Sequence, residues 1–229
     1  MSANENALIP NPMRISSVFT KMRPMHEVEF KSVVDDLALR RRHVEGAGGR
    51  LRFAGTMMDR YYTLDTRPDS GAGRLRVRTY QAPAGGWTEL TWKGSARLER
   101  GYKVREELNT RVEDETTLRE ILERTGFAMS EYITREIAWY VFGGASVRLE
   151  QFPRMDLLVE VEGAPEAIEH AIQATRISRE QFTTEPLKEF LRRFETRTGT
   201  KALLEQAAPD VSDSAATRFP RACPLDGVD

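Results

Sequence analysis

Cysteine is almost absent, with Cys223 alone among 229 residues. That excludes an intrachain disulfide and any cysteine-rich zinc site. Histidine is scarce too, and His26, His43 and His170 stand too far apart for metal-ligand spacing. No apolar run nears the ~18 residues that a membrane-spanning helix needs. The first 24 residues lack the apolar stretch of a secretory signal. Nor does one sign of charge dominate: 34 Lys and Arg against 35 Asp and Glu leave −1. A general nucleic-acid binder usually has a basic excess, so none is expected, although a local basic site stays open. These absences predict a cytoplasmic protein without membrane or nucleic-acid partners, either a monomer or a homodimer.

What is present is a usable core and much charge, at 40% apolar and 30% charged residues. Residues 1–24 carry Pro10, Pro12 and Pro24 among Asn and Ser and read as a flexible arm. Residues 206–229 hold few clustered apolar side chains and read as disordered. The folded unit is therefore expected at 25–205. Within it the hydrophobic period alternates between two and 3.6. Strands are expected near 25–31, 51–63, 74–81, 86–93, 101–109, 132–142, 146–151 and 156–162. Helices are expected at 35–45, 116–125, 165–175 and from Pro186 to about Thr198, with Gly199 beyond. The class is α+β: a roughly eight-stranded antiparallel β-barrel, closed or nearly closed, with helices packed outside.

The strands carry the functional signal. Glu27, Glu29 and Lys31 alternate with Val28 and Phe30, and Arg74, Arg76 and Arg78 with Leu75 and Val77. Glu89, Thr91 and Lys93 oppose Leu90 and Trp92, and Arg105 shares a face with Glu107. Arg148 with Glu150, and Glu160 with Glu162, repeat the design beside Val147, Leu149, Val159 and Val161. A half-solvated sheet would explain alternation alone. Solvated faces usually mix in Thr, Ser and Gln, however, and these are nearly all Arg, Lys and Glu. If apolar helices cover the other face and the sheet curls, the charged faces meet inside, where charges must be paired or coordinate a ligand. Arginine forks suit phosphate, and carboxylates suit Mg²⁺ or Mn²⁺.

These residues also resemble a known family. Glu27-Val28-Glu29-Phe30-Lys31 is similar to the ExExK signature of the CYTH domain in triphosphate tunnel metalloenzymes. That superfamily includes class IV adenylyl cyclases, thiamine triphosphatases and inorganic triphosphatases. The string Asp59 to Thr66, then LRVR (75–78), TWK (91–93) and REE (105–107), follow in the family's order. ERTGF with Arg135, then Glu150, Glu160-Val161-Glu162 and the helix around Leu187 to Phe194, complete a likeness over about 25–194. Three departures stand out: Glu150 replaces the usual Asp, Arg154-Met155-Asp156 replaces a glycine turn, and the Tyr-Phe-Asp-Thr string is stretched.

The resemblance implies a tunnel that binds a small triphosphate with Mg²⁺ or Mn²⁺. It implies metal ligation by Glu27, Glu29, Glu160 and Glu162 with help from Glu150. Lys31, Arg76, Arg78, Lys93, Arg105, Arg135 and Arg148 would bind phosphate, and Lys31 or Glu29 would serve catalysis. Hydrolysis of inorganic, nucleoside or thiamine triphosphate is the leading expectation. Formation of cyclic AMP and pyrophosphate from ATP comes second, and non-catalytic binding of polyphosphate or nucleotide third. Structural roles are expected elsewhere. Glu89 and Glu107 should pair with arginines, Arg74 should lie on the surface, and His43 should sit on a solvated helix face. Trp87, Trp92 and Trp139 should pack in the core or on strands.

Overall fold

A computed structural model of the chain describes residues 25–26, 28–64, 73–99 and 102–205. Their strands are β1 (Met25–His26), β2 (Val28–Val34), β3 (Arg50–Leu64), β4 (Arg74–Ala82), β5 (Gly85–Lys93), β6 (Arg97–Glu99), β7 (Tyr102–Val104), β8 (Glu106–Val112), β9 (Phe127–Phe142), β10 (Ala145–Gln151) and β11 (Leu157–Gly163). The helices are α1 (Leu37–Gly46), α2 (Glu115–Arg124), α3 (Pro165–Thr175) and α4 (Leu187–Thr198). Local chemistry sets their ends. The Asp36 carboxylate accepts from the Leu39 N–H at 2.8 Å and Asp114 from Thr117 at 2.9 Å, capping α1 and α2. Gly199, at φ 67°, closes α4 in the left-handed region.

Nine strands form one antiparallel sheet in the order β1-β8-β5-β4-β3-β9-β10-β11-β2. Of the expected first strand, the described residues 25–26 pair with β8 at one edge of the sheet and residues 28–34 with β11 at the other. Of the expected closed or nearly closed barrel, closure by hydrogen bonds is not seen, since the ladder among the described residues does not run round from β8 to β2. One physical reason is at Lys31, whose backbone N–H and C=O both bond to Thr183, at 2.8 and 2.9 Å. Those groups are therefore not available to β8. The expected strand 101–109 is likewise broken at Arg105 into β7 and β8, with β6 and β7 forming a separate ribbon. Strand β9 starts five residues earlier than its apolar alternation indicated, because pairing with β3 extends to Phe127 opposite Leu64.

The apolar strand faces are buried under the helices. Val28, Phe30, Val147, Leu149, Val159 and Val161 pack with Val44 of α1 and with Ile168, Ala171 and Ile172 of α3. Leu118 and Leu122 of α2 cover Tyr62, Leu75, Val77 and Leu90. Phe190 of α4 joins Ile133, Phe152, Met155 and Leu158. Arg154-Met155 serves this docking, since Arg154 forms a two-hydrogen-bond bridge with Leu203 while Met155 is buried. No helix among the described residues is long and apolar enough to cross a membrane.

Candidate functional site

With the apolar faces covered by helices, the charged faces are buried as well. Lys31, Arg76, Arg78, Lys93, Arg135 and Arg148 are buried, as are Asp59, Glu107, Glu150 and Glu160. A flat, solvated sheet face would leave all ten exposed. The sheet therefore curls around its charged side. The cavity on that side measures about 260 Å³ and is lined from β2, β3, β4, β5, β9, β10 and β11, with Arg105 and the start of α4 also lining it.

Strand register sets the pairs. Arg148, Glu160 and Lys31 stand in one row across β10, β11 and β2. Lys31 Nζ lies 3.2 Å from Glu160 and 3.0 Å from Glu29, while Arg148 Nη2 bonds to Glu160 and, at 2.9 Å, to Glu162. Across the cavity, Asp59 stands opposite Arg78 in the β3–β4 register. Its carboxylate accepts from Arg78 Nε at 2.6 Å, Arg78 Nη2 at 2.7 Å and Arg135 Nη2 at 3.1 Å. Lys93 bonds to Glu107, which also accepts from Arg105 at 2.8 Å. Arg76 donates to Thr91 at 3.2 Å, and Thr91 to Asn109 at 2.5 Å.

Electrostatics follow from these neighbours. Burial works to raise the pKa of Asp59, but the charges of Arg78 and Arg135 overcome it and hold the carboxyl far below its usual range. Glu160 behaves likewise, with burial opposed and outweighed by Arg148 and Lys31. Burial would lower Lys31, yet Glu160 and Glu29 raise it above the ordinary lysine value. All three are charged at neutral pH.

The satisfied pairs leave donors over. Arg76 Nε and Arg135 Nη1 are buried without a hydrogen-bond partner among the described residues, and Arg135 Nε and Arg148 Nε have only the Glu150 carboxylate near them, at 3.3 and 3.7 Å. Buried guanidinium N–H groups without partners are costly unless an acceptor arrives. Among the described residues, six buried cations face four buried carboxylates, and the half-buried Arg105, Glu29 and Glu162 bring the balance to seven against six. The cavity thus offers spare donors to an anion with little net positive charge to neutralise it.

Of the expected site residues, the structure brings Glu29, Lys31, Arg76, Arg78, Lys93, Arg105, Arg135, Arg148, Glu150 and Glu160 to this cavity. Glu162 is half-buried and tied to Arg148, and Glu27 lies outside the described residues, as do Asp65 and Thr66. Arg74, expected at the surface, is at the cavity's rim instead, donating to Glu131 at 2.6 Å and resting over the Tyr61 ring. Glu107 pairs with Arg105 as expected, whereas Glu89 accepts from Trp87 Nε1 at 2.8 Å rather than from an arginine. Trp87 and Trp139 pack with Phe53 and Tyr80. His43 is half-buried, with Nδ1 3.4 Å from the Thr175 carbonyl, because α1 packs on α3. Sequence reasoning gave no site role to Asp59, although it opens the Asp59-Arg60-Tyr61 string that resembles the family. It also missed Lys188, which α4 brings to the margin.

Comparison with solved structures adds the fold. A protein from Pyrococcus horikoshii, PH1819, superposes with TM-score 0.60 at 22% identity, covering 73% of this chain and 98% of its own. A Vibrio parahaemolyticus protein, provisionally assigned as an adenylate cyclase, gives 0.61 at 17%, covering 74% and 99%. The adenylyl cyclase candidate HpAC1 from Hippeastrum, described as revealing a dominant triphosphatase activity, gives 0.50 at 14%, covering 79% and 99%. The chain shares its overall fold with these proteins. At these identities the likeness carries architecture alone. No family model matches the sequence, and no curated protein matches it.

Proposed function

We propose that the cavity binds a chain of three phosphates and that the protein is a divalent-metal-dependent triphosphatase. The observation that carries this is the set of buried guanidinium N–H groups without a hydrogen-bond partner among the described residues, above all Arg76 Nε and Arg135 Nη1. Phosphate oxygens are the acceptors that suit such forks. The size agrees: about 260 Å³ falls just below typical small-molecule pockets. It suits linear triphosphate, and a nucleoside or thiamine group would extend past the rim, toward Arg74 and Tyr61. In this reading the curled sheet forms the tunnel wall, with residues 25–26 at one edge and 28–34 at the other.

The residues present fit Mg²⁺ or Mn²⁺ in a limited way. No group of three carboxylate, histidine or cysteine side chains among the described residues is arranged to hold a metal. Mg²⁺ needs only one or two carboxylates when phosphate oxygens complete its shell. Glu29, Glu160 and Glu162, with Glu150 beside them, are the residues that would hold it. The charge balance favours it too, because a bare polyphosphate would leave the interior strongly negative. The metal would supply charge neutralisation and a more acidic bound water. The chain's own part is positioning: Arg76, Arg78, Lys93, Arg105, Arg135 and Arg148 fix the phosphates, and burial strengthens each contact. Lys31, held between Glu29 and Glu160, is placed to hold a transferred phosphoryl oxygen.

Adenylyl cyclase activity is the second reading, favoured by the fold shared with the Vibrio protein. The two differ in whether water or a ribose hydroxyl attacks. The test is incubation of pure protein and Mg²⁺ or Mn²⁺ with inorganic triphosphate, ATP and thiamine triphosphate, with the products resolved. Phosphate release supports the first reading, cyclic AMP the second, and no turnover of any substrate overturns both.

A further inference from the structure

The carboxylates that a metal would use are already held by cations of the chain. Glu29 and Glu160 share Lys31, at 3.0 and 3.2 Å. Glu160 and Glu162 share Arg148. Glu150 faces Arg135 Nε at 3.3 Å and Arg148 Nε at 3.7 Å. Lys31, Arg148, Glu150 and Glu160 are all buried. A divalent ion arriving alone would have to displace Lys31 and Arg148 from their partners. It would strand two buried cations with nowhere to go, which is heavily unfavourable.

A polyphosphate changes that balance. Its oxygens offer new partners to the same two cations. Arg148 already has an Nε without a hydrogen-bond partner among the described residues, and Lys31 carries three donors on a flexible stem. Each cation that turns to phosphate releases carboxylate oxygens. We propose that Lys31 and Arg148 are resident counter-ions that make metal binding depend on the polyphosphate, so that a divalent cation alone finds no site. The inference rests on the reading of the cavity as a polyphosphate site and adds the order of binding to it. Linkage makes the dependence reciprocal, so metal tightens the polyphosphate by the same factor.

Metal and polyphosphate also associate in free solution, so the decisive measurement uses Mn²⁺ alone. Wild type and Arg148→Gln would be compared by thermal melts and by the spin-resonance signal of free Mn²⁺. Millimolar Mn²⁺ is expected to leave the wild-type melt unmoved. In Arg148→Gln, Glu160 and Glu162 lose their shared cation. That variant should melt lower, and Mn²⁺ alone should raise it, with affinity roughly tenfold or more above wild type. Tight Mn²⁺ binding by wild type without polyphosphate, or no gain in the variant, overturns the proposal. If Arg148→Gln folds only with Mn²⁺, the proposal is supported. If it folds in neither condition, Lys31→Met, which removes the cation that Glu29 and Glu160 share, decides by the same gain or its absence. A separate arm with inorganic triphosphate in EDTA tests the site itself. A wild-type melt unmoved by triphosphate counts against the polyphosphate reading, whatever Mn²⁺ does.

Discussion

Asp59 and Arg78 form a two-pronged ion pair inside the curled sheet, Nε to Oδ1 at 2.6 Å and Nη2 to Oδ2 at 2.7 Å. Asp59 is fully buried and also holds Arg135. One carboxylate thereby orients two guanidinium groups from the strands on either side of its own, leaving Arg135 Nη1 for an incoming anion. Asp59→Asn keeps the shape and removes the charge. Breaking such a buried pair costs about 3–5 kcal/mol. Urea unfolding should report that loss in the unliganded protein, and triphosphate should recover part of it. A loss below about 1 kcal/mol would mean that Arg78 and Arg135 find other partners.

Acid should unfold the unliganded protein through the same groups. Asp59 and Glu160 have folded pKa values below their unfolded ones, near 3.9 and 4.3. Their stabilisation is complete above those unfolded values and is lost as pH falls toward the folded ones. Lys31 is shifted the opposite way, so its contribution is complete below about 10.4 and lost only as pH rises beyond it. Stability should therefore be flat through neutrality and fall below about pH 4. Urea midpoints from pH 2 to 8 would check this; a decline already between pH 8 and 6 would contradict it.

Excess EDTA should abolish the proposed hydrolysis, and Mg²⁺ or Mn²⁺ should restore it. Glu29→Gln and Glu162→Gln should each lower turnover at least ~100-fold, since each removes a carboxylate from the positions that would hold the ion. Circular dichroism should stay near wild type, because both side chains are only half-buried. Full rates in either variant would move the metal elsewhere.

Triphosphate should stabilise the protein far more than orthophosphate, which reaches fewer of the arginines. A hundredfold excess over Kd is worth about 2.7 kcal/mol. Arg78→Ala should diminish that gain. From sequence alone, removing one of several like charges would be expected to steady the unliganded protein. The Asp59 pair reverses the expectation: the variant should be less stable, with Asp59 left to Arg135. Melts with ortho-, pyro- and triphosphate would decide, and equal shifts for all three would reject a site that measures chain length.

Phe190 pins α4 among Ile133, Phe152, Met155 and Leu158. Phe190→Ala should cost about 3–5 kcal/mol of stability. It should also weaken triphosphate binding, because α4 brings Leu187 and Lys188 to the cavity. Calorimetric titration would show whether binding changes with the helix.

The inward charges were legible in the sequence wherever strict alternation set them on one face, as in Arg76 and Arg78 or Glu160 and Glu162. Asp59 was harder to read. Its neighbour Arg60 points outward to Glu115 of α2 at 2.7 Å, so β3 carries charge on both faces and alternation alone could not sort them. Glu89 misled for a related reason: register sets it beside Arg78 and Arg111, but Trp87, two residues away on the same strand, reaches it with an indole N–H. The break at Arg105 depends on pairing between distant strands. Local propensity does not encode that.

The pair of hydrogen bonds between Lys31 and Thr183 has a mechanical consequence. Thr183 lies four residues before α4 begins, so the backbone beneath a cavity cation is fastened to the segment that leads into the helix at the cavity's margin. Force applied at either place reaches the other through two short bonds rather than through soft side chains. Amide exchange at Lys31 and Thr183 should thus report a single shared opening rate, and filling the cavity should slow both amides together.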